Sequence, residues 1–212
     1  MRCSEERKLL MKTDVYKFKK SADSIEGVTG IAEKAARYND LDKKQEIKLS
    51  LLCEELVGML PNLLAYGSGE FWIENEGKSF EIHALVRSDT KLTSFDREEL
   101  LAVSASGKNA ASVGIMNKIR IAAEVMIANY ALSAAAATDI ENVASPDFYN
   151  MGMNTNPVGY TGQWSLQSYR SSAKPDAAAW DELEKSIIAN LADDVTVGII
   201  GGKVEIVVKK TF

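Results

Sequence analysis

The sequence is poor in the residues that most often build metal or redox chemistry: two cysteines and one histidine in 212 residues. Cys3 and Cys53 stand far apart in the chain, which excludes a disulfide framework and a structural zinc site. Around His83 the sequence assembles neither a metal cluster nor a Ser-His-Asp triad, so it reads as an ordinary half-buried strand residue. No excess of positive charge exists either. Lys and Arg number 25 against 30 Asp and Glu, a net charge of −5, which gives no footprint for a nucleic-acid binder. No apolar run approaches the roughly 18–20 residues of a membrane-spanning helix, and residues 1–10 lack the apolar centre of a signal peptide. Met11 can serve as a start, so residues 1–11 are expected to be a disordered extension. The expected location is the cytoplasm, without membrane or nucleic-acid partners.

What is there suits a packed domain: 46% of residues are apolar and 26% charged, near the composition of ordinary globular proteins. Residues 14–21 alternate, Tyr16 and Phe18 against Lys17 and Lys19, and predict a short edge strand. A helix follows through Ile25, Val28, Ile31 and Ala35, capped by Ser21 or Asp23 and ending near Asn39. Asp42 caps a longer helix with the stripe Leu49, Leu52, Leu56, Met59, Leu60, Leu63; Pro61 marks its last turns, and Gly67-Ser68-Gly69 stops it. Residues 70–76 and 79–89 predict a hairpin, with Phe80, Ile82, Ala84 and Val86 facing inward and Glu81, His83, Leu85 and Arg87 outward.

Residues 96–104 and 112–137 predict helices, the second with the stripe Ile115, Ile119, Ala122, Met126, Tyr130. Residues 138–175 are rich in Asn, Gly, Ser and aromatics, too long for a mere connector; residues 163–170 predict a strand within them. One helix from Asp176 carries Trp180, Leu183, Ile187, Ile188 and Leu191 inward. Gly201-Gly202 joins a closing hairpin of residues 195–200 and 203–210. The expected fold is α/β of the α+β type: a two-layer sandwich, with a mainly antiparallel mixed sheet and helices packed on one face.

Two segments carry a family likeness. The helix Glu46-Ile47-Lys48-Leu49-Ser50-Leu51-Leu52-Cys53-Glu54-Glu55-Leu56-Val57 precedes a hairpin, and Leu183-Glu184-Lys185-Ser186-Ile187-Ile188-Ala189-Asn190-Leu191-Ala192-Asp193-Asp194-Val195 enters the last one. Together, over residues 14–210, they resemble the histidine-kinase-like ATPase domain (the Bergerat fold), most closely its anti-sigma-factor-like members. The resemblance implies one domain over residues 12–212, with a lid-like insertion at about 90–175. It also implies a site for ATP or ADP. In the family a Glu on the first of these helices polarises the attacking water, and an Asn four residues on ligates magnesium. Here Glu54 and Glu55 are followed at that spacing by Gly58 and Met59, which offer no oxygen to a hard cation, so no metal ligand is assigned. Asn62 shares the face of Glu55 but lies about two turns along.

Asp89 stands where the family's adenine-binding aspartate is expected, without the glycines that follow it there. Residues 104–109, Ser-Ala-Ser-Gly-Lys-Asn, lack the spacing of a phosphate loop; Gly107 and Lys108 at the start of the next helix still offer backbone amides and charge to an anion. The nucleotide-binding candidates are thus Glu54, Glu55, Asn62, Asp89, Gly107 and Lys108, with Glu55 the one catalytic candidate. A kept topology with lost magnesium and glycine motifs implies a regulatory domain, non-catalytic or weakly nucleotide-binding, acting through a protein partner or as a homodimer. The alternative is an ATP-binding protein or serine kinase of the anti-sigma type with a rebuilt lid. The aromatics Phe148, Tyr149, Tyr160, Trp164 and Tyr169 either line a ligand or partner surface or pin the long loop to the sheet.

Overall fold

Alternating side chains build the centre of the protein. A computed structural model describes residues 10–19, 24–60, 66–88, 114–135, 164–173 and 177–212. In chain order its elements are β1 (Leu10–Lys12), β2 (Tyr16–Lys19), α1 (Ser24–Tyr38), α2 (Lys43–Met59), β3 (Tyr66–Glu76), β4 (Ser79–Ser88) and α3 (Ile115–Ala135). There follow β5 (Trp164–Ser165), α4 (Leu166–Ala173), α5 (Ala177–Lys185), α6 (Ile187–Leu191), β6 (Asp194–Ile200) and β7 (Lys203–Thr211). The seven strands form one sheet in the order β1-β3-β4-β7-β6-β5, with β2 also pairing β3. Every pairing among the described strands is antiparallel, so the mixed component expected of the sheet is not found among them. Two-residue turns join β3 to β4 and β6 to β7, which forces antiparallel neighbours.

One face of the sheet is the core. Phe80, Ile82, Ala84 and Val86 of β4 and Val204, Ile206 and Val208 of β7 are fully buried, as the alternation predicts. They meet Leu49, Leu52, Leu56 and Leu60 along α2, and Ile115, Ile119, Ala122 and Met126 of α3. Helices and sheet therefore make a two-layer α+β arrangement. Tyr130, the last member of the predicted α3 stripe, is instead exposed and lies over Gly202 in the β6–β7 turn. Both turn glycines have positive φ, +56° at Gly201 and +76° at Gly202, the backbone that a tight hairpin demands.

The helical hairpin α1–α2 is fixed by its caps. Asp42 accepts from the Gln45 amide at 2.9 Å while Gln45 Oε1 accepts from the Asp42 amide at 3.1 Å, a reciprocal capping box. α2 ends at Met59, two residues before Pro61.

Several expectations need correction. Gly67, Ser68 and Gly69 do not stop α2 but belong to β3, where a register shift lies between Tyr66 and Ser68. Gly69 has a packing role there, because a Cβ at this position would fall inside the Phe18 ring. Residues 10 and 11 pair with β3 as part of β1 instead of belonging to an extension. Of the described residues in the predicted 163–170 strand, Trp164 and Ser165 are extended, and a helix starts at Leu166. Capping outweighs the alternation there: Ser165 Oγ accepts from the Ser168 amide at 3.1 Å, and Asp194 Oδ1 from the Gln167 amide at 3.0 Å. The single helix expected after Asp176 is two, broken at Ser186, whose side chain caps α6 by accepting from the Ala189 amide. The helix predicted over residues 96–104 lies outside the described residues, as does most of the 138–175 segment.

Candidate functional site

On α2, Glu54 and Glu55 are both half-buried. Glu54, which a lone helical wheel puts almost opposite the core, is covered because α1 packs alongside, and Thr29 Oγ1 donates to its Oε1 at 3.5 Å. Gly58 is exposed, with open space where a side chain would stand. Asn62, Asp89, Gly107 and Lys108 lie outside the described residues, as do Phe148, Tyr149 and Tyr160. Trp164 is buried in the core and Tyr169 packs against it, so these two rings pin their segment down. A cleft of about 320 Å³ lies at one end of the sheet, among Lys17, Arg87, Lys203 and Glu70. Glu54, Glu55 and His83 do not line it.

The densest chemistry among the described residues is on the face of the sheet that none of the described helices covers. Strand register lines up a row of charges: Lys12 opposite Glu74, Glu74 opposite Glu81, Glu81 opposite Lys209. Two carboxylates directly opposite one another repel. Each is held from its outer side. Lys12 Nζ donates to Glu74 Oε1 at 2.9 Å, and so does Trp72 Nε1 at 2.8 Å; Lys209 Nζ lies 3.0 Å from Glu81 Oε1. The Lys12 bond holds the Glu74 carboxyl below its ordinary range, against the upward push of partial burial. Lys12 also sits over the Trp72 ring, 4.4 Å from its centroid.

One pair along, Trp72 and His83 face each other across β3 and β4 and stack at 4.8 Å, 8° from parallel. Stacking buries the histidine, which is more enclosed than the half-buried residue expected. Its Nδ1 lies 3.1 Å from Glu205 Oε1, on the diagonal across to β7. A carboxylate only accepts, so Nδ1 carries a proton and donates. Nε2 is then directed at the two inner carboxylate oxygens, 3.7 Å from Glu81 Oε2 and 3.9 Å from Glu74 Oε2. It is shut off from solvent and has no hydrogen-bond partner among the described residues.

Sequence reading placed Glu81 and His83 on one face but not Glu74, Trp72 or Glu205. A signal for the first two exists: a two-residue turn at 77–78 fixes the β3–β4 register and sets 74 opposite 81 and 72 opposite 83. Glu205 depends on the β4–β7 pairing, which no local pattern encodes.

Comparison with family models, with curated proteins and with solved structures finds no match to this chain.

Proposed function

We propose that the chain is a regulatory domain of histidine-kinase-like topology, non-catalytic or weakly nucleotide-binding, that acts through a protein partner. Position 58 of α2 carries this reading. It is exposed and side-chain-free, at the spacing from Glu54 where the family places its magnesium-ligating asparagine. From β2 onward the described elements run β-α-α-β-β, with α-β-β at the end and the short β1 ahead of them, and this order supports the topology. The inner face of α2 supports the loss of catalysis, since Leu52 and Leu56 pack with Ile82 and Ala84 in one fully buried cluster. A domain that keeps such a scaffold without the metal ligand works by binding.

A second reading, an ATP-binding protein or serine kinase with a rebuilt lid, is favoured by the presence of Glu54 and Glu55 on α2. Thermal unfolding with Mg-ATP, Mg-ADP and neither separates the two. A nucleotide at 100 times its Kd stabilises by about 2.7 kcal/mol, about 5–10 °C for a chain of this size. The expected shift at millimolar nucleotide is below about 1 °C on the same scale, and a shift of several degrees supports the kinase reading instead. Gly58→Asn is the companion variant. With open space around the site it is expected to change stability by less than about 0.5 kcal/mol, so any nucleotide response it gains reports the restored ligand alone.

A further inference from the structure

We propose that Glu74 Oε2, Glu81 Oε2 and His83 Nε2 form a binding site for a divalent cation of the zinc class on the face of the sheet that none of the described helices covers. Three acidic groups on a strand surface would not carry this, but the imidazole does. His83 has a side chain only 10% exposed, and its Nε2 is buried without a hydrogen-bond partner among the described residues. With Nδ1 engaged by Glu205, the ring turns Nε2 toward two carboxylate oxygens, and in the Nδ1-protonated tautomer it offers them a lone pair. All three atoms are electron donors, and only a cation between them makes that arrangement favourable.

Distances favour a metal ion over a proton as that cation. A proton on Nε2 needs an acceptor near 2.7–3.2 Å, and the nearest carboxylate oxygens stand at 3.7 and 3.9 Å. One donor atom from each of Glu74, Glu81 and His83 lies within 4.8 Å of the others. Around tetrahedral zinc at about 2.0–2.1 Å, neighbouring donors sit roughly 3.3 Å apart. Small rotations of the half-exposed Glu81 side chain and of Glu74 close that difference.

The surroundings are those of a metal centre. Glu205 on Nδ1 forms the carboxylate–histidine arrangement that fixes the ring tautomer and raises the basicity of the ligating nitrogen. Lys12 and Trp72 hold the outer oxygen of Glu74, and Lys209 holds that of Glu81. Each carboxylate thus keeps one oxygen for its anchor and one for the cation. Three carboxylates against two lysines leave a net −1 around the imidazole, a field that attracts a cation. One imidazole with two carboxylates suits zinc better than magnesium, which prefers all-oxygen sites and retains its waters. Three protein donors leave a fourth position for water or a ligand from outside the chain. Cys53 does not compete, because it is fully buried and burial, then the neighbouring Glu54, pushes its thiol far above the ordinary range.

The test is a calorimetric titration of the full chain, stripped of metal, with zinc chloride in a Cys3→Ser background, and with magnesium chloride in parallel. Expected are one saturable zinc site, no competition from magnesium, and a shift of the His83 Nε2 resonance in nitrogen NMR. Glu81→Gln, isosteric and near the surface, should weaken zinc binding by at least 10-fold, and Glu205→Gln by 10- to 100-fold. Wild-type protein without saturable zinc binding overturns the proposal. So does an unaltered affinity in Glu81→Gln and His83→Gln, or a His83 ring that stays doubly protonated as zinc is added. Nucleotide is absent throughout, so the outcome is independent of the regulatory reading.

Discussion

Glu74 shows how much one side chain on this sheet depends on its neighbours. Its carboxyl is lowered from an ordinary 4.5, first by the hydrogen bond from Lys12 and against partial burial, with the Trp72 indole helping. A carboxyl depressed in the folded state stabilises the fold above its unfolded pKa, and that contribution is lost as pH falls through the folded value. The window therefore lies below about pH 4.5. Replacing Lys12 with Met removes the first cause and is expected to move the Glu74 midpoint upward in carboxyl-carbon NMR. The share of the acid-side decline in stability that Glu74 contributes then shrinks, because its folded and unfolded values approach one another. A midpoint that stays where it was would show that the Lys12 bond does not form in solution.

At the level of elements, the connection between α1 and α2 holds a correctable flaw. α1 closes with paired bonds, Leu41 N to Ala36 O at 3.1 Å and Asp40 N to Arg37 O at 3.3 Å. This terminating motif puts its penultimate residue in the left-handed region, where glycine is usual. Asp40 stands there with φ +49°, the one positive-φ residue other than glycine among the described residues. Asp40→Gly should therefore raise stability by up to about 1 kcal/mol, read from urea unfolding. A loss would mean that Asp40 makes a contact worth more than its strain. Elements with two agreeing signals were legible from the sequence: α2 from its stripe plus Asp42, the last hairpin from its alternation plus Gly-Gly. Where one signal stood alone, another force won. The alternation around Trp164 and Leu166 yielded to two side chains capping α4, and the glycines before β3 accommodate a bulge and an aromatic ring instead of ending a helix.

For the whole molecule, the two faces of the sheet differ in how far local sequence describes them. The core face follows from counting apolar residues along each strand. On the other face, Glu74, Glu81, His83 and Glu205 come from three strands, and only their register brings them together. Residues of the expected nucleotide site were legible only through likeness to a family, and most lie outside the described residues. Protection from solvent should follow the strand order. Amides of β4 and β7, paired on both sides, are expected to exchange at the rate of global unfolding, and those of β1 and β2 much faster. Hydrogen exchange read by mass spectrometry checks this, and fast exchange in β7 would contradict the sheet order.

That order also governs how the chain is made. Of the described strands β7 is synthesised last, yet it lies between β4 and β6. Until it emerges, the Ser79–Ser88 strand has an open edge, the kind of surface on which nascent chains aggregate. Folding must wait for the final hairpin and then join residues more than a hundred positions apart, which makes it slow. A chain cut short before residue 203 lacks the strand that joins β4 to β6 and leaves both edges unpaired.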